Sequence, residues 1–259
     1  MSEKVEHIDE LLIDVKKVHK KFCKNLKRGM IYGFLDLFKF NKKKEINLRK
    51  DEFWALKDIS FTLKRGEILA IVGLNGAGKT SLIRLITNSF PVTKGTIKVI
   101  GRIATIFEKN RSLNKFYSGR ENIKVKCALF GMNNTETNNA MDKILEFAEI
   151  KDFADAPFGS YSAGMKARMN FSIAYYSKPD ILIIDEGFAT SDRRILEKYL
   201  SLLKENSKKY GIIIISHNEH IIRQLSNRIM ILKKGQIFHD SIDVSKGLEL
   251  YNNNKNNIK

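Results

Sequence analysis

Cysteine is scarce in this chain, and the little there is excludes a disulfide scaffold. Its two cysteines, Cys23 and Cys127, lie far apart and form no CxxC pair. Both read as reduced packing or surface residues of a cytosolic chain. Long apolar runs are missing too. The longest, such as Ile212 to Ile215, are strand-sized, far short of the roughly 20 residues that span a bilayer. Residues 1–14 mix Glu, Lys, His and Asp with scattered apolar residues, so no secretory signal is expected. The chain is therefore expected to be soluble or peripheral to a membrane. Acidic residues are in deficit: 29 Asp and Glu face 46 Lys and Arg, a formal charge of +17. Such an excess suits anionic lipid or nucleic acid, and equally a Lys- and Asn-rich composition with no basic-patch partner. No basic motif interleaved with aromatics is present, which disfavours nucleic acid. There is no internal repeat.

What is present is a large apolar fraction, 43% of 259 residues, enough for a sizeable core in one large domain or two small ones. Val15 to Phe22 reads as a first strand and Trp54 to Leu63 as a second. Ile68 to Val72, Ile181 to Ile184 and Ile212 to Ile215 are short apolar runs of the buried parallel type. Thr80 to Thr87 reads as a helix, Pro91 to Gly101 as strand-turn-strand, and Arg228 to Phe238 as a terminal hairpin turning at residues 233–236. Residues 119–157 are mainly helical, with Ile144, Phe147, Ala148 and Phe153 on one face. Strands alternating with helices imply an α/β fold with a mainly parallel sheet. The tail, residues 246–259, is polar and expected to be disordered. Residues 23–50 form a composition shift. Nine Lys and Arg there face Asp36 and Glu45, around the apolar, aromatic stretch Met30 to Phe40. Two readings fit: a short helix lying on a membrane surface or a partner helix, and a hairpin insertion packed on its own domain.

Three motifs carry chemistry. Gly73-Leu-Asn-Gly76-Ala-Gly78-Lys79-Thr80 matches G-x-x-x-x-G-K-[ST] between a buried strand and a helix. Glycines let backbone N–H groups close around phosphates, from Gly73, Leu74, Asn75, Gly76, Ala77 and Gly78 through to Ser81. Lys79 reaches the terminal phosphates as a point charge, and Thr80 presents a hydroxyl to Mg²⁺. The second motif, Ile181 to Glu186, is an apolar strand delivering two carboxylates at its C-terminal end. There Asp185 suits Mg²⁺, and Glu186 suits a general base for attacking water. The third is Ser162-Ala-Gly164 at a helix start, a second phosphate site. One chain already has such a site at Lys79, so a second makes sense against the nucleotide of another copy.

On these residues the chain resembles the ATP-binding-cassette family over residues 12–240. Tyr161-Ser-Ala-Gly-Met165 stands where that family has Leu-Ser-Gly-Gly-Gln, keeping Ser162 and Gly164. Ala189-Thr-Ser-Asp192 looks like the loop that crosses the dimer, and His217 resembles the switch histidine at the γ-phosphate. The Q-loop position, where the family has glutamine, carries Glu108, and the resemblance implies a carboxylate that can still orient water or Mg²⁺ there. Phe22, with Trp54 as the other candidate, stands where an aromatic stacks on adenine.

Within the family the chain is most similar to ATPases of O-antigen, teichoic-acid and capsule exporters. The likeness rests on the basic insertion, on Gly119-Arg-Glu-Asn-Ile123, on Tyr161 to Arg168 and on Glu108. The resemblance implies a single nucleotide-binding domain over residues 1–245, with an antiparallel β subdomain and a helical subdomain at residues 110–178. It implies ATP and Mg²⁺, a homodimer, a separate membrane permease and a lipid-linked polysaccharide as cargo, with no nucleic acid. It places the subunit peripherally on the inner face of the cytoplasmic membrane. Some such relatives carry a C-terminal glycan-binding domain, which is not expected here. DNA-repair relatives carry a coiled coil and translation factors two cassettes. This chain has neither pattern, and the Ser162 helix with His217 argues against a P-loop kinase.

Overall fold

The computed structural model describes residues 10–37, 47–107, 113–186 and 193–256. In chain order these form β1 (Leu11–Cys23), α1 (Leu26–Leu37), β2 (Glu52–Lys64), β3 (Ile68–Val72), α2 (Lys79–Ile86), β4 (Lys94–Val99) and β5 (Ile103–Phe107). They continue with α3 (Gly119–Leu129), α4 (Asn134–Phe147), α5 (Ala163–Tyr176), β6 (Ile181–Asp185), α6 (Arg193–Glu205) and β7 (Gly211–Ile215). The chain then runs through α7 (Glu219–Leu225), β8 (Arg228–Lys233), β9 (Gln236–Ser241) and α8 (Val244–Asn256).

The main sheet has the order β5-β6-β7-β3-β8-β9, parallel from β5 to β8 with β9 antiparallel at its edge. Its central strands are runs of Ile, Leu and Val because both faces are covered. Alternation sorts them: Ile181, Ile183, Ile213 and Ile215 join a core with Leu82 and Ile83 of α2 and Leu12, Leu56 and Leu63 of β1 and β2. Leu182, Ile184, Ile212 and Ile214 face the opposite way, onto Ile144, Met169, Ile173 and Leu200 of the helices. A separate antiparallel sheet, β2-β1-β4, lies over the first face. The expected α/β fold, a parallel core flanked by an antiparallel sheet and helices, is what the chain adopts.

Local signals set the helix starts. Ser118 and Asn133 each make a reciprocal capping box, with Glu121 and Glu136, and Ser162 Oγ accepts from Met165 N at 3.2 Å to cap α5. Gly119 must lack a side chain because the Tyr161 hydroxyl occupies the place of its Cβ. That hydroxyl donates to Phe153 O at 2.6 Å. The Gly119 and Tyr161 motifs, far apart in sequence, therefore pack on one another.

Three expectations need correction. Residues 91–101 hold one strand, β4, because the chain then crosses to the other sheet as β5. Phe153 lies beyond the end of α4 and is 52% exposed, off the face shared by Ile144 and Ala148. The tail is ordered through α8, whose Leu248 and Tyr251 bury against Ile229 and Ile231. Two apolar residues one turn apart anchor it despite its asparagines. The stretch from Met30 enters α1, tied to the β2 side by Arg28 to Asp51 and by Lys24 N donating to Asp51 O at 2.8 Å. Leu26, Met30, Ile31, Phe34 and Leu35 stand exposed on it. Among the described residues no helix is long and apolar enough to cross a membrane.

Candidate active site

β3 ends at Val72 and the chain turns through residues 73–78 into α2. Gly78 caps α2 at φ +107°, a left-handed conformation that strains any residue with a Cβ. A Cβ there would also lie 2.7 Å from Leu56 Cδ2 and 2.8 Å from Ala55 O. Lys79 Nζ donates to the Gly73 and Leu74 carbonyls, at 2.5 and 3.3 Å. Its ammonium is half-buried. Burial holds its pKa below the ordinary lysine value, against the pull of Glu186 and Asp185.

β6 and β7 end side by side. Asp185 pairs with Ile215 in the ladder, and Glu186 N donates to Ile215 O at 2.9 Å. Glu186 then adopts φ +50°, a left-handed turn that is uncommon for a side-chain-bearing residue. His217 Nε2 lies 3.2 Å from Glu186 Oε1. Parallel strands thus deliver two carboxylates and an imidazole at their C-terminal ends, where ligands bind in such sheets.

These groups line one open cleft of about 1500 Å³. It brings together Phe22, residues 75–81, Asp185, Glu186 and His217. Gly73 and Leu74 lie behind the loop, in the wall of a smaller cavity. Ser162 and Gly164 do not line the cleft, and Ser162 is exposed at the start of α5. Glu108 and Asp192, with the segment from Ala189, lie outside the described residues.

Phe22 and Trp54 both line the cleft. Phe22 sits among other rings, 6.2 Å from Phe53 and 5.7 Å from Phe90, whereas Trp54 meets His19 edge-on at 5.6 Å. Phe53 and Phe90 were not anticipated. Phe53 pairs with Phe22 across the β1–β2 ladder, a register that a single strand does not reveal.

The far arm of the cleft, with Arg102, Lys126 and Phe130, was also missed. Lys126 is 4% exposed, bonded to Asn170 and over the Phe130 ring. Burial pulls its pKa down to about 8. Packing between α3 and α5 thus weakens its hold on the proton, which composition cannot show.

The donor set fits a nucleotide with Mg²⁺. The loop's glycines give backbone approach, Lys79 gives fixed positive charge, and Thr80 and Asp185 give the hard oxygens that Mg²⁺ takes alongside phosphate. No cluster of three or more His, Cys, Asp or Glu suited to a protein-held metal occurs among the described residues.

Comparison with known proteins agrees with this geometry. Residues 56–189 match the ABC transporter family. A teichoic acids export ATP-binding protein, TagH, of Shouchella clausii (strain KSM-K16) is 38% identical over 78% of this chain and 57% of its own length. An O-antigen export system ATP-binding protein, RfbB, of Klebsiella pneumoniae is 35% identical over 79% of this chain and 84% of its own. The chain spans about half the length of the teichoic-acid relatives it matches. Among solved structures, an ATP-binding subunit of an ABC transporter superposes with a TM-score of 0.72 at 20% identity, over 92% of this chain and 93% of that one. The dimeric bacterial ABC transporter cassette MJ0796 gives 0.69 at 20% identity, over 89% and 98%, so the fold is shared.

Proposed function

The chain belongs to the ABC transporter family, and we propose that it is the ATP-binding and ATP-hydrolysing subunit of an exporter of lipid-linked polysaccharide. Two copies would sandwich two ATP molecules and drive a separate membrane permease. The observation that carries this reading is a split. Lys79, Thr80, Asp185, Glu186 and His217 converge in one cleft, while Ser162 and Gly164 stand away from it. A cap serine at the start of a 14-residue helix would serve as an anion site, and it lies outside the cleft of its own copy. A second copy supplies one.

In each site Lys79 would hold the terminal phosphates, and Thr80 and Asp185 would hold Mg²⁺, which neutralises charge on the phosphates when bound. Glu186 would accept a proton from the attacking water, and His217 would fix the Glu186 carboxylate and reach the γ-phosphate. Phe22 would stack on the base. Glu108 would act at the Q-loop, orienting water or Mg²⁺, and Asp192 would lie on the dimer-crossing loop. Membrane contact is supported by α1, whose exposed apolar residues lie beside Lys24, Lys27 and Arg28.

The dimer is tested at Gly164. A Cβ there would meet Arg168 Nη1 at 3.5 Å and Ser162 Oγ at 3.9 Å, ordinary contacts, so the fold does not require glycine. Gly164→Asp should keep its melting temperature and its ATP affinity. Hydrolysis should fall roughly 100-fold, because a carboxylate then faces the partner's phosphates. Full hydrolysis by this variant would rule out the sandwich.

The cargo is tested by capturing the Glu186→Gln variant with ATP from detergent-solubilised membranes and identifying what is bound. A stoichiometric polytopic permease with a polyprenyl-linked glycan is expected. A soluble complex with nucleic acid would overturn the exporter reading.

A further inference from the structure

α8 reaches the active site from behind. Leu248 and Tyr251 share a core cluster with Val72, the last residue before the phosphate loop, and with Ile222 of α7. Tyr251 and Asn254 line the small cavity whose other wall includes Gly73 and Leu74, and Asn254 Oδ1 accepts from Lys233 Nζ at 3.0 Å. Directly after Tyr251 comes a polar contact. Asn252 Nδ2 donates to Glu219 Oε1 at 2.8 Å.

Glu219 opens α7, two residues after His217. The segment between β7 and α7 is short and held at each step. Asn218 N donates to Ser216 Oγ at 3.0 Å, and Asn218 Oδ1 caps α7 by accepting from His220 N and Ile221 N. The His217 side chain is 45% exposed, so packing alone does not fix it. Its place opposite Glu186 follows from where the first turn of α7 stands relative to the sheet. Glu219 also lies 3.6 Å from Arg223, but that residue is on the same helix and cannot set the helix's position. Asn252 can, since α8 is itself anchored to β8 through Leu248, Tyr251 and the Lys233–Asn254 bond. Arg223 Nη1 donates to Ser245 Oγ at 3.2 Å and adds a second tie between α7 and the start of α8.

We propose that Asn252 is a positioning residue for hydrolysis: through Glu219 it holds the first turn of α7, and with it His217, where Nε2 meets the Glu186 carboxylate. This rests on reading His217 and Glu186 as hydrolysis residues. Asn252 touches no reacting atom. Its contribution is geometric and acts on turnover, while nucleotide affinity is set by the phosphate loop.

The test is steady-state ATP hydrolysis by the full chain, with binding of a fluorescent ATP analogue measured separately. Asn252→Ala should lower kcat roughly fivefold and leave the nucleotide Kd within about twofold. Asn252→Asp, which sets two carboxylates face to face, should fall at least as far. Combining Asn252→Asp with Glu219→Gln restores the hydrogen bond with donor and acceptor exchanged, and kcat should return to within about twofold of the parent. Recovery by that reversal ties the loss of kcat to this hydrogen bond. In a His217→Ala background, Asn252→Ala should cost nothing further. Parent-level kcat in Asn252→Ala alongside an impaired His217→Ala would sink this assignment, as would an impaired kcat that the reversed pair does not recover. Parent-level kcat in His217→Ala would instead sink the reading on which it rests.

Discussion

Glu186→Gln is expected to lower ATP hydrolysis by roughly 10²- to 10⁴-fold while leaving ATP binding intact, the range a positioned general base supplies. Of the two acids that end β6, Asp185 continues the strand and pairs with Ile215. Glu186 leaves it, and its φ of +50° turns the side chain out of the ladder and into contact with His217 at 3.2 Å. A backbone conformation that costs on the order of 1 kcal/mol is held here by the bond from Glu186 N to Ile215 O. The amide variant keeps shape and hydrogen bonding but cannot take a proton. ATP should therefore close two copies into a dimer that does not reopen by hydrolysis. Phosphate release measures the first effect, and size-exclusion chromatography with and without ATP measures the second. Turnover retained within threefold would remove Glu186 from the base role.

Lys79→Ala is expected to act on the other half of the cycle, weakening ATP binding. Lys79 is the phosphate loop's own cation, and its ammonium already bonds two loop carbonyls. Charge-assisted hydrogen bonds contribute about 1.5–3 kcal/mol each, so losing even one predicts a roughly 10- to 150-fold weaker Kd. The fold should survive, because backbone bonds also hold the loop, from Ala77 N to Leu74 O and from Gly235 N to Ala77 O, each at 3.0 Å. Equilibrium titration with a fluorescent ATP analogue separates the two variants. Glu186→Gln binds and does not turn over, and Lys79→Ala does neither. Parent-like affinity in Lys79→Ala would place the phosphates elsewhere.

Much of this arrangement was legible in the chain because the signals were local. Ile68 to Val72 and Ile212 to Ile215 read as buried strands from their composition alone, and the run from Gly73 to Thr80 carries its own geometry. The residues that escaped do so for physical reasons. Phe53 and Phe90 join Phe22 only through strand register and a turn. Lys126 looks like any surface lysine until α3 is packed on α5. α8 seemed too polar to fold because its asparagines outnumber its apolar residues locally. Two well-placed residues, Leu248 and Tyr251, were enough to anchor it. That Ser162 and Gly164 do not line the cleft holding Lys79 appears only in three dimensions.

The α1 helix also sets how the chain behaves in a tube. Leu26 and Met30 are 79% and 69% exposed, with Ile31 and Phe34 beside them, and a contiguous apolar stripe of this kind is adhesive in water. What opposes it in an isolated copy is the +17 charge, which makes copies repel. That repulsion reaches about 10 Å at 0.1 M ionic strength and about 3 Å at 1 M, whereas apolar attraction does not weaken with salt. Colloidal stability therefore runs opposite to common purification habit. Dilute buffer keeps copies apart, and high salt removes the repulsion while leaving the stripe uncovered.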